Sequence, residues 1–557
     1  MIRDFFLFGH ELQKTCQKID VDHTDDIDAL RLKVAAQFNV IEPQGIDFQN
    51  NANGDLADIE AVLDSEEPVG ILVDGHQVRE PSGPEGLPIV GAYYEVFPDH
   101  IGNHARMFRH YGNVIKYTTY GRPNYLTCDP RVAGVAFAES PFFTKSTSNV
   151  NHPLHAINSQ KALFLCDTNE DWRLAHRYIA PAMNPKAIRH YHPLMQSAVE
   201  KSFPIFDELD ERGEAWNVYQ YMLKLASGTI GEFALGMDFH HFDSVDAPYH
   251  TIVTSISKSL SLNKRISSRG QWYSKLPFGD PKELAETQKH IHDVLNEAIN
   301  NCPKGGDEDL PINDAALQAA CIFDFLNRAV DDKGDKIPRE LIIPNMLPVV
   351  GAGFVTTSSL LSWLIYSLCA YEGTQDRLLQ EIVDAGIDEN TDWSPDLTGS
   401  LTYLDKFIKE TQRVHNPSFQ PGRTAKVDCI VPGGYQLPAD SVIIPALYAI
   451  HNNPDIWTNP GRFDPDRWDS EEVRNRPKNS YIPFATGPRS CIGFNFALGE
   501  VKVLLPALVY RYEFTREGES SIEYDPHYQL IRPMNLYVRA RKRTEWPEPS
   551  NKAEDKK

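Results

Sequence analysis

Ten consecutive residues, Phe484-Ala485-Thr486-Gly487-Pro488-Arg489-Ser490-Cys491-Ile492-Gly493, set a cysteine at the mouth of a helix-patterned stretch whose apolar positions are Phe494, Leu498, Val501 and Leu505. Amide groups at a helix start stabilise negative sulfur and favour the thiolate. Gly487 lets the chain turn tightly, and Gly493 lets the backbone approach a planar cofactor. Bound to iron, a thiolate pushes electron density onto the metal and promotes O–O cleavage, which a neutral thiol cannot do. Residue type alone would make Cys491 an inert buried side chain. The residues around it argue for the ligand.

Two other groupings have spacing that permits chemistry. Glu410 and Arg413 lie three apart in a segment with apolar Leu404, Phe407 and Ile408, so the charges meet on one helical face. Alone they would be an exposed ion pair of little worth. Within the uncharged run Ile342 to Tyr371, the stretch Ala352-Gly353-Phe354-Val355-Thr356-Thr357 sets two hydroxyls beside the glycine pair Gly351 and Gly353. The glycines leave room for a ligand against the backbone. A mid-helix threonine gives its hydroxyl to a neighbouring carbonyl or to bound oxygen.

Phe-x-x-Gly-x-Arg-x-Cys-x-Gly resembles the haem-binding signature of the cytochromes P-450. The resemblance implies that Cys491 is the axial ligand of haem iron, that Phe484 packs near the ligand loop, and that Arg489 pairs with a haem propionate. Tyr403-Leu404-Asp405 with Glu410-Thr411-Gln412-Arg413 is similar to the family's K helix, and Phe463-Asp464-Pro465-Asp466-Arg467-Trp468 to its meander. Arg467 would then complete a Glu-Arg-Arg network whose role is architectural. The Ala352 to Thr357 stretch is similar to the oxygen-binding part of the I helix. That makes Thr356 the expected proton-delivering alcohol, with Thr357 and Gly353 beside it. Here the sequence departs from the family, because Val355 stands where an acid ordinarily precedes the threonine. Protons would arrive through Thr356, Thr357 and ordered water, or the reaction needs less proton delivery than oxygen insertion. Trp172-Arg173-Leu174-Ala175-His176-Arg177 resembles the C helix, with Trp172 and His176 as propionate donors and Arg177 in reserve. Arg423, after the K helix, is a further propionate partner. The resemblance runs in order over about residues 81 to 543.

These residues need elements to hold them, and 557 residues with 41% hydrophobic content supply one large core and a small one. The net charge of −22 argues against a nucleic-acid partner. The eight cysteines show no C-x-x-C pair and no zinc or disulfide framework, which fits a reducing compartment. Residues 1 to 79 hold six Lys/Arg and sixteen Asp/Glu. Their expected elements are strands Phe5 to Phe8 and Thr15 to Val21, a helix capped by Thr24, and strands Ile46 to Phe48 and Val69 to Val73. That order resembles the β-grasp fold of ubiquitin-like domains; the alternative is a divergent extension packed on the main domain. The segment runs on through Arg79 into Pro81 instead of ending in a free Gly-Gly, so conjugation is not expected. Prolines and glycines from Glu80 to Gly91 read as a hinge. Residues 92 to 544 form the expected catalytic domain, with strands Val114 to Tyr117 and Pro123 to Thr127 and an irregular stretch from Pro454 to Pro483. The tail from 545 to 557 is expected to be disordered.

The run Ile342 to Tyr371 exceeds the roughly 20 apolar residues a bilayer requires. Pro344, Pro348 and the four hydroxyl residues Thr356 to Ser359 instead suit a helix buried on all sides. The first twenty residues show neither signal peptide nor membrane anchor, so the expected location is cytoplasmic, with the endoplasmic reticulum as a peripheral surface. The expected fold is mainly α, the P-450 prism with a small β region, preceded by a small α+β module. The expected activity is that of a haem-thiolate monooxygenase in secondary metabolism. It would activate O2 on haem b (iron protoporphyrin IX) and oxidise an apolar or aromatic small molecule. About twenty residues follow Tyr537, too few for a flavin domain, so the electrons would come from a separate NADPH-dependent flavoprotein reductase. Lys406, Lys409, Arg474, Arg476 and Lys478 would be its docking patch near Cys491. A second reading is oxidative coupling or dehydrogenation of an aromatic metabolite, which product mass distinguishes. A third is a haem-based sensor or scaffold whose amino-terminal module recruits protein partners. The other histidines, His240-His241 and the pair His290 and His292 among them, show no matched ligand set.

Overall fold

Apolar runs at the two ends of the first eighty residues pair side by side in one sheet. In this computed structural model, which describes residues 1–550 except His23, 51–53, Ala57 and 419–420, strand β1 (Ile2–Leu7) runs antiparallel to β2 (Gln17–Asp20). Strands β3 (Ile46–Asn50), β4 (Gly54–Leu56) and β5 (Val69–Val73) complete the order β2-β1-β5-β3-β4, with β1 and β5 parallel. Every residue of β5 is buried, as a central strand requires. Helix α1 (Ile27–Phe38) sets Leu30 and Val34 into one core with Phe5, Phe48 and Ile71. Its cap is Asp26, whose carboxylate accepts from the Ala29 amide at 2.7 Å, and not Thr24, whose hydroxyl bonds Asp22. Thr24, Asp25 and Asp26 all carry capping side chains, and the one at the right backbone angle takes the position.

The chain divides into two compact units, Met1–Pro153 with Gln420–Ile450 and Pro477–Arg489, and Leu154–Phe419 with His451–Arg476 and Ser490–Lys557. The first unit carries a second five-stranded sheet. It contains β6 (Val114–Thr119), β7 (Arg122–Thr127), β8 (Phe143–Thr144) and β9 (Arg423–Ala425). Beyond them come the hairpin β10 (Cys429–Val431) and β11 (Tyr435–Leu437), and then β12 (Val442–Pro445), which joins the sheet between β7 and β9. The hairpin reaches into the amino-terminal module. Ile430, 2% exposed, belongs to the module's own core, and its amide donates to Asn39 O at 2.9 Å. Asn39 caps α1 in the left-handed conformation and donates its side-chain amide to Asp428 O at 3.0 Å. Arg79 lies over the Tyr435 ring at 4.2 Å, and Arg131 pairs with Glu42 and Asp74. The Pro/Gly run from Glu80 to Gly91 lies against β6. A Cβ on Gly83 would stand 1.7 Å from Lys116 O, and one on Gly91 2.0 Å from Thr118 O. Glycine is there because backbone meets backbone.

The second unit is mainly helical. Its helices include α2 (Glu170–Ile179), α3 (Val218–Leu235), α4 (Thr251–Ser268), α5 (Asp280–Asn300) and α6 (Ile322–Arg328). They continue with α7 (Arg339–Ala370), α8 (Thr402–Val414) and α9 (Phe494–Arg511). By length and composition α7 could cross a membrane, but 78% of its most apolar window is buried in this fold. Ile230 of α3, Phe354 of α7 and Leu505 of α9 share one core. The carboxyl-terminal segment is held as far as it is described: Trp546 Nε1 donates to Tyr510 O at 2.9 Å, and Ser550 bonds Asp384. The rest of the expected disordered tail, 551–557, lies outside the described residues.

Because Ile430 fills the module's core from a distant hairpin, Ile430→Ala should cost about 2–5 kcal/mol. The expected readouts are a lower denaturation midpoint and protease cleavage within residues 1–79 ahead of the rest of the chain. Cleavage and midpoint unchanged would show that the hairpin contributes nothing there.

Candidate functional site

Cys491 stands two residues before Gly493, the residue that caps α9, and its side chain is accessible. Protein packed around the accessible sulfur pushes its thiol up, against a pull from the Gly493 amide. A metal ion at the sulfur reverses that balance, because coordination deprotonates a thiol outright.

Helix α7 is buried along most of its length but opens at Ala352, which is exposed, and Thr356, which is half-buried. Four residues apart, they share one face. Thr356 Oγ1 donates to Ala352 O at 2.7 Å. Thr357 is 2% exposed and donates to Gly353 O at 2.9 Å, so its hydroxyl is committed inside the core. A Cβ on Gly353 would lie 2.5 Å from Ile230 Cδ1 of α3, and one on Gly351 would lie 3.1 Å from Ile256 Cγ2 of α4. Both glycines let helices pack closely. Val355, at the position where the family ordinarily has an acid, is buried in the core.

On α2, the Trp172 and His176 rings lie 5.3 Å apart, both half-buried. Arg177, the reserve donor, is bound to Asp331 at 2.7 Å. The charge network expected around α8 is closed. Glu410, fully buried, accepts from Arg413 Nε at 3.0 Å and Nη2 at 2.8 Å, from Arg467 Nε at 3.5 Å and from Trp468 Nε1 at 3.1 Å. Four residues of the expected docking patch have partners within the fold. Lys406 is paired with Asp469 and Lys409 with Asp405, while Arg476 is stacked over Trp457 and Trp468. Arg474 binds the backbone oxygens of Asp469 and Ser470.

The first unit holds Phe484, Arg489 and Arg423. Phe484 is half-buried, and a Cβ on Gly487 would stand 2.2 Å from Phe137 O. Arg423, 2% exposed, lies over the Phe137 ring at 4.6 Å and donates Nη1 to Gly422 O. Its buried Nε has no hydrogen-bond partner among the described residues. Burial brings Arg423 down to about 10, with Glu139 pulling upward and Arg489 downward. His152 is held well below its ordinary range by burial and by the charges of Lys145, Arg423 and Arg122. A set of desolvated cations of this kind suits an anionic ligand.

One acid went unread in the sequence. Glu500, on α9, is fully buried, and neither carboxylate oxygen meets a hydrogen-bond partner among the described residues. Burial pushes its carboxyl well above the ordinary range, against a smaller pull from the Thr229 hydroxyl. Its only sequence signal is a carboxylate inside an otherwise apolar helix.

Residues 81–538 match the model of the family Cytochrome P450. The chain is 49% identical over 550 residues to cytochrome P450 monooxygenase alnD of Emericella nidulans, covering 98% of this chain and 99% of that one. With cytochrome P450 4F5 of Rattus norvegicus it shares 27% over 366 residues, 63% of this chain and 68% of the other. The crystal structure of cytochrome P450DA heme domain superposes at a TM-score of 0.72 and 21% identity, covering 84% of this chain and 98% of that one, a likeness of fold. The amino-terminal module lies outside the family match yet inside the alnD alignment.

Glu500 yields a pH prediction. Its folded pKa lies above its unfolded one, so the folded state binds more protons between the two and stability falls as pH rises through that window. Glu500→Gln should therefore raise Tm at pH 8, with the difference shrinking toward pH 5. A constant difference across that range would mean that Glu500 does not titrate in this way.

Proposed function

This chain belongs to the cytochrome P450 family, whose members are haem-iron monooxygenases, and from that premise we propose that it oxidises an apolar or aromatic small molecule, with electrons from a separate NADPH-dependent flavoprotein reductase. The observation that carries the substrate class is the open stripe on α7, a methyl group at Ala352 and one hydroxyl at Thr356 on a helix buried along most of its length. The proposed cofactor is haem b. The family's motifs assign to it Cys491 as the thiolate ligand of iron, Arg423, Arg489, Trp172 and His176 as propionate partners, and Phe484 beside the ligand loop. When bound, haem supplies the activation of O2, with thiolate electron density favouring O–O cleavage.

The protein's own part is to hold and move a proton at Thr356 Oγ1. That hydroxyl now donates to Ala352 O, and rotation about χ1 turns it to the open face. Val355 cannot store a proton, so Thr356 is resupplied by water reaching the same face. Thr357 is tied to Gly353 O in the core and serves packing. The hydrocarbon at position 355 also supports a second reading, coupling or dehydrogenation of an aromatic metabolite, in which less proton delivery is required. For the module of residues 1–79 we propose a ubiquitin-like β-grasp identity. The order β2-β1-β5-β3-β4 with helix α1 packed into the same core supports it. Its proposed role is to hold the β10–β11 hairpin. The proposed setting is secondary metabolism at the cytoplasmic side of the endoplasmic reticulum, bound peripherally.

Two experiments test this reading. Reduced protein under carbon monoxide should show the long-wavelength Soret band of a thiolate complex, and Cys491→His should move it to the histidine-ligated position. Identical spectra would remove Cys491 as ligand. Thr356→Ala should release more peroxide per NADPH consumed, whereas Thr357→Ala should leave that ratio unchanged and lower Tm. Equal peroxide release from both would deny Thr356 its part in proton delivery.

A further inference from the structure

Cys302 and Cys321 hold their sulfurs 2.9 Å apart, close to but beyond the bonded distance of about 2.05 Å. Cys302, half-buried, follows the end of α5, and Cys321, buried, caps the start of α6. Both sides of the pair are fixed by one carboxylate. Asp324 accepts from the Gly305 amide and from the Ala320 amide, each at 3.0 Å. A third helix end closes the site. Gly236 caps α3 in the left-handed conformation, and a Cβ there would lie 2.5 Å from Pro303 Cγ and 3.8 Å from Cys321 Cβ.

We propose that Cys302 and Cys321 are a modification site, a thiol pair that a hydroperoxide closes into a disulfide. The Cys302 S–H and the amides of Asp324 and Phe323 hold the Cys321 thiol down, while the same bond holds Cys302 up. When the pair has lost one proton, the remaining one sits between the two sulfurs; with it on Cys321, the accessible Cys302 sulfur attacks one peroxide oxygen, the O–O bond breaks, and the leaving hydroxide takes the Cys321 proton to become water. Cys321 sulfur then attacks the sulfenic sulfur of Cys302, the S–O bond breaks, and the second hydroxide takes a proton from solvent. Each sulfur loses one electron and the peroxide gains both, giving one disulfide and two waters. Half-exposure at Cys302 gives the oxidant its approach. In a reducing compartment the pair rests as thiols, and peroxide closes it. The disulfide would clip the end of α5 to the start of α6, shortening the free loop between them.

The test uses full-length protein. Reduced enzyme is exposed to stoichiometric hydrogen peroxide, quenched with catalase, denatured, alkylated and mapped without reduction. The expected result is a linked peptide containing Cys302 and Cys321, two of the eight cysteines protected from alkylation, a molecule lighter by two hydrogens, and reversal by dithiothreitol. Cys302→Ser and Cys321→Ser should each leave all remaining thiols open to alkylation; the serine at 321 retains an oxygen to cap α6. The oxidised wild type should melt a few degrees higher than the reduced form. Eight alkylated cysteines after peroxide, or protection persisting in either serine variant, would overturn the proposal.

Discussion

The second unit is organised around one carboxylate that water cannot reach. Taking an ion such as Glu410 out of water costs several kcal/mol after relaxation, and removing a partner from such a set costs about 3–5 kcal/mol because a charge is left uncompensated. Four side-chain N–H groups and the Asp464 amide converge on it. The guanidiniums then spend their remaining donors on backbone. Arg413 reaches His451 O and Arg462 O, and Arg467 reaches Thr458 O at 2.7 Å and Asn459 O at 3.3 Å. This fixes the course of the stretch from residue 451 to 464, ahead of a 3-10 turn at Pro465–Asp469 and a short helix at Glu471–Asn475. Its carbonyls find their obligatory partners in arginine side chains instead of in a ladder.

Helix α7 meets two opposed demands. It must be packed closely on most sides and open on one. Glycine at 351 and 353 satisfies the first by letting Ile256 and Ile230 approach the backbone, and Ala352 and Thr356 satisfy the second on a different face. The same residue type that suggested ligand room therefore serves helix packing, and the small residue between the two glycines is the one left open. A period of 3.6 residues per turn separates these faces over a span of six residues.

What the sequence made legible was local or motif-bound. The central strand Val69–Val73 could be placed because five apolar residues in a row suit a strand buried on both faces. The Glu410 network could be expected because two motifs, one with Glu410 and Arg413 and one with Arg467, supplied its members. The cap of α1 was misplaced by two residues, since Thr24, Asp25 and Asp26 all have capping side chains and only backbone geometry chooses among them. Contacts between distant segments left no local pattern. Ile430 is nearly four hundred residues from the core it fills, Cys302 and Cys321 have no motif spacing, and Glu500 looks in one dimension like any acid on a helix. The composition of the Pro/Gly run excludes helix and strand, but no local pattern shows that its glycines let it lie against β6.

The shared core of module and hairpin also sets an order on how this architecture could be lost. A lineage that shed its first eighty residues in one step would present Ile430 to solvent and leave Asp428 O without its amide donor. A bare hairpin edge with an isoleucine on it invites pairing with another chain. The hairpin would have to become polar first, while the module still covered it, and that intermediate would already have weakened the module it was about to lose. Such a path passes through a less stable ancestor at every point, so the extension is retained by the surface beneath it, independently of any task the extension performs.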